Sequence, residues 1–301
     1  MISYSLFYYI NLKQGLVFNN IYKTSSCFII NLMLQLQIMR KRKETPFSTS
    51  PNPANLYLTA GLKTAVHKVK YVVEHHRGLT AILGDVGMGK SSLLRLLFTD
   101  FTSQEDMETR LIPTASFPSD FGLVKAISGA YGITPKKSRY DQEQAFNEYL
   151  VKQYEESKIV ILLIDEAQLL NSKMLEVIRT LMNFESDDSK LIQIILAGQL
   201  ELKDKLVEPS KKAIRSRIFA PSILEPLTIS ETKNMLEFRC ERAEVPSPLT
   251  EETIEHIYNL TGGVPRDVLT LCDLAYDLMK LNGETAFNIE LLTFASKEAG
   301  L

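Results

Sequence analysis

A chain of 301 residues with 45% hydrophobic and 23% charged side chains has the makeup of an ordinary soluble globular protein. Its 34 Lys and Arg against 36 Asp and Glu leave a net charge of −2, so no global field demands nucleic acid or an anionic membrane as partner. Three scattered cysteines, Cys27, Cys240 and Cys272, exclude a disulfide framework or a zinc site and point to a reducing cytoplasm.

Residues 1–38 differ from the rest, crowded with Ile, Asn, Tyr, Phe and Leu and carrying only Lys13 and Lys23 as charges. Lys and Asn interrupt every apolar run before the roughly 18 residues that a membrane span requires. A charged n-region and a small-residue cleavage site are missing as well. Three readings stay open: sequence upstream of a true start at Met39, which is preferred, a membrane-associated segment, or a disordered extension. A basic and Pro-rich lead-in follows over 39–55. Pro46, Pro51 and Pro53 disfavour helix there, so it is expected to lie extended over the surface.

From residue 56 apolar strand-like runs alternate with amphipathic ones. The expected strands are Leu79–Leu83, Leu111–Phe117, Ile159–Ile164, Leu191–Ala197 and a short one near Ser222–Leu224. Helical stretches at Phe121–Tyr131, Asp141–Glu156 and Lys173–Phe184 separate them. Near-continuous apolar strands in β-α-β order call for a parallel sheet covered on both faces. Beyond Glu225-Pro226 only helices are expected. Ser230–Arg242 is the first; Thr250 then caps a second that stops at Gly262. Pro265 opens a third that runs to about Leu281. The division is thus an α/β core over 56–225 and a helical lid over 226–301.

The stretch "GDVGMGKSS" fits G-x-x-x-x-G-K-[ST], spanning Gly84, Asp85, Val86, Gly87, Met88, Gly89, Lys90, Ser91 and Ser92. Glycines let the backbone wrap phosphates with its N–H groups inward, and the next helix aims its positive end at the same anion. Lys90 would reach the β- and γ-phosphates of ATP, and Ser91 would ligate Mg²⁺. "KIVILLIDEAQLL" ends a buried strand in Asp165-Glu166, placing two carboxylates at the carboxyl edge of the sheet. Asp165 would hold Mg²⁺ through water, and Glu166 would orient or deprotonate the attacking water. Gln199 follows the next strand, within reach of the γ-phosphate or that water. Arg215 and Arg217 precede the last strand. Arg217 is favoured as an arginine finger offered to the ATP of a neighbouring subunit, its alternative being a solvated basic helix end. Arg266, one residue into a helix after Gly262, Gly263 and Pro265, would touch the γ-phosphate; its alternative is a surface arginine. His67, His75, His76 and His256 have no metal or triad spacing.

These features in this order resemble the AAA+ ATPases: Walker A, Walker B, sensor 1, arginine finger and sensor 2. The wording "RTLMNFE", "AGQLEL" and "GGVPRDVLTLCDLA" looks closest to the ExeA-like (GspA-like) ATPases and their transposition relatives such as TniB and TnsC. The resemblance implies a P-loop fold with a five-stranded parallel sheet in the order 5-1-4-3-2, a helical lid, and work as a ring or filament. It also implies a place for Tyr57 near the adenine. Gln199 departs from the Asn or Asp commoner at sensor 1. Secretion ExeA proteins carry a further membrane span and a peptidoglycan-binding region, and neither is expected in this chain. The expectation therefore leans to a DNA-transposition accessory, with double-stranded DNA and a transposase as partners. Arg40–Lys43, Lys136, Lys137 and Arg139 are its candidate phosphate contacts. The alternatives are an assembly ATPase acting on secretion-machinery proteins, or a slow nucleotide switch.

Overall fold

The computed structural model describes residues 45–50, 52–187 and 189–301. The expectations for 1–38 and for Arg40–Lys43 fall outside these residues. The elements run α1 (Ala60–Glu74), β1 (Leu79–Leu83), α2 (Lys90–Thr102), β2 (Met107–Ile112), α3 (Asp120–Ala130) and α4 (Arg139–Glu155). Then come β3 (Ile159–Ile164), α5 (Ser172–Leu181), β4 (Ile192–Gly198), α6 (Leu200–Val207), the single turn α7 (Lys212–Arg215) and β5 (Ser222–Ile223). Four helices close the chain: α8 (Ile229–Arg242), α9 (Glu251–Thr261), α10 (Pro265–Leu281) and α11 (Ile289–Ala299).

The five strands form one parallel sheet in the order β2-β3-β4-β1-β5, the order 5-1-4-3-2 read from the other edge. The period-2 alternation of side chains sends each strand's residues to two cores. Val160, Leu162 and Ile164 of β3 join Ile192, Ile194 and Leu196 of β4 beneath α3, α4 and α5. Ile161, Leu163, Ile195 and Ala197 face the other way, against Val69 and Val73 of α1 and Leu93 and Leu97 of α2. Each such fully buried aliphatic side chain contributes about 1.5–3 kcal/mol. The one polar side chain inside β4, Gln193, is fully buried and satisfied: its Oε1 accepts from Gly78 N at 2.7 Å and its Nε2 donates to Lys190 O at 2.8 Å.

Two expectations are corrected. The second strand occupies Met107–Ile112 rather than Leu111–Phe117. Pro113 has no N–H for a ladder, and β2 is an edge strand, so Glu108, Thr109 and Arg110 are tolerated where a central strand would need apolar residues. The lead-in also does more than lie on the surface. Phe47 is fully buried, its ring packed edge-on against Tyr276 at 5.7 Å and tilted on Phe287 at 6.1 Å.

That pocket for Phe47 belongs to a third core, made by the C-terminal helices. Val268, Leu271, Cys272, Ala275 and Met279 form one stripe of α10, packed with Leu236 of α8, Ile257 of α9 and Leu292 of α11. Local chemistry sets the helix ends. Thr228 with Glu231, and Thr250 with Thr253, form reciprocal capping boxes, and Pro265 occupies the first turn of α10. Helix α11, capped by Asn288, lies beyond the helices expected from the sequence.

Candidate functional site

Strand β1 ends at Leu83 and the chain turns through Gly84–Gly89 into α2. Gly89 caps that helix in the left-handed region (φ 85°), with no side chain spent on its first N–H groups. Those donors and the positive end of the helix dipole are left for an anion. Gly87 also has a positive φ, 84°, and a Cβ there would meet Val264 Cγ1 at 2.9 Å and Arg266 Cβ at 3.0 Å. The loop therefore lies directly against the start of α10, and Arg266 N donates to Gly87 O at 3.2 Å. Both a φ that disfavours side chains and a lack of space demand glycine here.

Lys90 is buried, its Nζ donating to Gly84 O at 2.7 Å and Asp85 O at 2.6 Å. Burial lowers its pKa, opposed by the negative charges of Glu166, Asp165 and Asp85, while Arg266 adds to the lowering. Two cations, Lys90 and Arg266, and three carboxylates, Asp85, Asp165 and Glu166, thus share the electrostatics of the loop.

Strand β3 delivers Asp165 and Glu166 at its carboxyl end. Asp165 is nearly buried, and its Oδ1 accepts from Glu166 N at 2.9 Å. Glu166 adopts a left-handed conformation (φ 53°), uncommon for a residue with a Cβ, and begins the 3₁₀ turn Ala167–Leu169. Its Oε2 accepts from Gln168 Nε2 at 2.5 Å. Gln168 Oε1 in turn accepts from the backbone N of Gln199, at the start of α6, at 3.1 Å.

A cavity of about 850 Å³ opens between the phosphate loop, the ends of β3 and β4, and helices α8 and α10. Of the residues singled out from the sequence, Val86–Ser92 line it, together with Asp165, Glu166, Gln199 and Arg266. Gly84 and Asp85 stay outside the lining and act through their carbonyls on Lys90. Tyr57 lines the cavity, stacked at a tilt on Phe238.

Arg217 lies elsewhere. Its Nη1 donates to Ala213 O and its Nη2 to Asn183 Oδ1, both at 2.9 Å, outside the cavity lining. The neighbouring Ile218 bridges Leu79, and Phe219 N donates to Leu79 O, fixing the backbone beside it. Arg215 is exposed and donates to Val207 O. Arg139, a candidate DNA contact, is committed to Asp120 and Glu143, both at 2.7 Å, whereas Lys136 and Lys137 are exposed. His75 stacks on Tyr71, and His256 bonds Thr293.

Sequence reasoning missed three groups. Arg239 of α8 lines the cavity, nearly buried, and donates to Ser48 O at 3.1 Å. An arginine on the same helical face as Met235, Leu236 and Cys240 was the signal. Thr49 and Ser50 also line the cavity, carried there by the lead-in. Asn183, inside the quoted "RTLMNFE", holds Arg217. Among the described residues no helix is long and apolar enough to cross a membrane.

Residues 73–206 match the family model described as an AAA domain. General secretion pathway protein A of Aeromonas hydrophila is 30% identical over 240 residues, 77% of this chain and 42% of that protein, so the chain spans less than half the length of this relative. The ORC2 protein of Aeropyrum pernix superposes with a TM-score of 0.62 at 17% identity, covering 84% of this chain and 71% of that one. The ORC1 protein of Aeropyrum pernix, solved in complex with DNA, gives 0.62 at 16% identity over 85% and 69%. At such identities the structural likeness speaks to the fold alone. The chain thus has the P-loop AAA+ fold; its residues 73–206 match an AAA domain model, and it is similar over 240 residues to general secretion pathway protein A.

Proposed function

We propose that this protein binds ATP and hydrolyses it to ADP and phosphate as a nucleotide-dependent oligomer, with residues 56–225 as the nucleotide-binding core and 226–301 as the lid. The observation that carries the reading is the convergence of Lys90, Ser91, Asp165, Glu166, Gln199 and Arg266 on one cavity lined by a glycine-rich loop and an uncapped helix start. The donor set also fits a hard divalent cation, since the Ser91 hydroxyl and the Asp165 carboxylate are oxygen donors on the same cavity. Those two residues would hold Mg²⁺, which when bound offsets charge on the β- and γ-phosphates.

The chain's own residues do the rest. Loop N–H groups from Val86 to Ser91 bind the phosphates, and the Lys90 ammonium moves from the loop carbonyls onto phosphate oxygens. Glu166 takes a proton from water as the water oxygen bonds to the γ-phosphorus and the bond to the bridging oxygen breaks. Gln199 orients that water. Arg266, joined to the loop at Gly87, couples the γ-phosphate to the lid. Arg217 lies outside its own cavity and acts on the ATP of an adjacent subunit, with Asn183 aiming it.

For the partner, the 30% identity to general secretion pathway protein A favours a secretion or envelope assembly role exerted on proteins. The transposition role draws no comparable support from the relatives named above. Phosphate release by the purified chain, measured with and without double-stranded DNA alongside its size in ATP, tests both parts. Turnover that disappears in Lys90→Ala and ignores DNA supports the protein-directed ATPase. Stimulation by DNA restores the transposition reading, and absence of wild-type turnover overturns the hydrolysis assignment.

A further inference from the structure

We propose that Gln168 is a positioning residue for hydrolysis, one amide that sets the Glu166 carboxylate and ties it to the backbone of Gln199; this rests on the reading of Glu166 as the base. The amide is used at both ends. Its nitrogen donates to Glu166 Oε2 at 2.5 Å, and its oxygen accepts from Gln199 N at 3.1 Å. Asn at this position would be one methylene too short to span both partners, and an apolar side chain could serve neither.

The surroundings fix this amide in place. The backbone O of Gln168 accepts from Lys205 Nζ of α6, which also donates to Leu170 O at 3.3 Å. A Cβ on Gly198 would meet Gln168 N and Oε1 at 3.2 Å, so the end of β4 is fitted closely to this side chain. Glu166 itself sits in a left-handed conformation that its neighbours must maintain. With Oε2 held by Gln168, the carboxylate cannot rotate freely, and Oε1 is the oxygen available to water. A shift of Gln199, at the start of α6, is passed to the carboxylate through the same amide. The residue that senses the γ-phosphate and the residue that takes the proton therefore move as a unit.

A hydrogen bond to a charged group is worth enough that losing it from the transition state slows turnover roughly 10- to 100-fold. The test compares steady-state ATP turnover and the affinity for a fluorescent ATP analogue in wild type, Gln168→Ala, Gln168→Glu and Glu166→Gln, with thermal melting as a folding check. Gln168→Ala is expected to lower kcat by that factor while KM and analogue affinity stay within about twofold. Gln168→Glu keeps the shape and the acceptor for Gln199 N but sets a second carboxylate against Glu166, so its kcat falls at least as far. In the Glu166→Gln background, Gln168→Ala costs nothing further, since the base it orients is gone. Unchanged or raised kcat in folded Gln168→Ala, with Glu166→Gln inactive, overturns this inference alone. Should Gln168→Ala not fold, wild-type kcat in Gln168→Glu overturns it equally. Wild-type turnover in Glu166→Gln overturns the assignment of the base, and the positioning role with it.

Discussion

Replacing Phe47 by alanine tests whether the lead-in is part of the folded unit. The ring is fully buried among the C-terminal helices, edge-on to Tyr276 and tilted on Phe287. Removing a buried phenylalanine costs about 3–5 kcal/mol from lost transfer energy and the cavity left behind, and the upper half applies here because two aromatic pairs go with it. For a unit of this size each kcal/mol moves the melting temperature by about 2–4 °C, so the expected drop is roughly 8–20 °C. A second effect follows from position. Ser48 O accepts from Arg239, and Thr49 and Ser50 line the cavity, so releasing Phe47 loosens one wall of the nucleotide site. Differential scanning fluorimetry with and without ATP reads both: the melting temperature falls, and the rise produced by a fixed ATP concentration shrinks. Phe47→Leu, which keeps most of the volume, should lose less than half as much. A drop under about 2 °C for Phe47→Ala would mean that the ring does not occupy that core.

Three further outcomes follow from the same geometry. Mixing Arg217→Ala with Glu166→Gln subunits, each inactive alone, should restore part of the ATPase activity, because an intact Arg217 then faces an intact Glu166 across some interfaces; no recovery in a confirmed mixed oligomer would place the finger elsewhere. Burial pushes the Cys240 thiol up to about 11 and holds Cys272 well above its ordinary value, so both thiols stay protonated near neutral pH. Peptide-resolved alkylation should therefore label them only after unfolding. Burial also lowers the Lys90 pKa from 10.5, so the unfolded chain binds the extra proton and stability without nucleotide rises as pH climbs toward 10.5; Lys90→Met should flatten that rise in urea midpoints.

Much of the fold was legible because it rests on local rules. The aliphatic runs of β1, β3 and β4 could only be buried strands, and Thr250, Gly262 and Pro265 marked helix ends through backbone chemistry. β2 was misplaced because an edge strand tolerates Glu108 and Arg110, and no periodicity distinguishes it from loop. The site was legible where residues adjacent in sequence are adjacent in space, as in Gly84–Ser91 and Asp165-Glu166. It was illegible where the fold brings distant segments together. Phe47 reaches Tyr276 across more than two hundred residues, and Arg239 meets Ser48 across 191. Neither pairing leaves a local pattern.

A further backbone contact bears on the proposed lid. Gly263 has φ 74°, and a Cβ there would lie 2.2 Å from Leu227 O, while Leu227 N donates to Gly263 O at 2.8 Å. The segment leaving β5 and the turn entering α10 are thus in backbone contact three residues before Arg266, which itself touches Gly87 of the phosphate loop. Gly263→Ala should add backbone strain of about 1–3 kcal/mol and force these two segments apart. If the contact carries the γ-phosphate signal to the lid, this variant keeps ATP binding through Lys90 but loses the change in oligomer size that ATP produces, measured by light scattering. Weakened binding together with normal ATP-dependent assembly would refute that route, and would leave Phe47 and the lead-in as the link between nucleotide and lid.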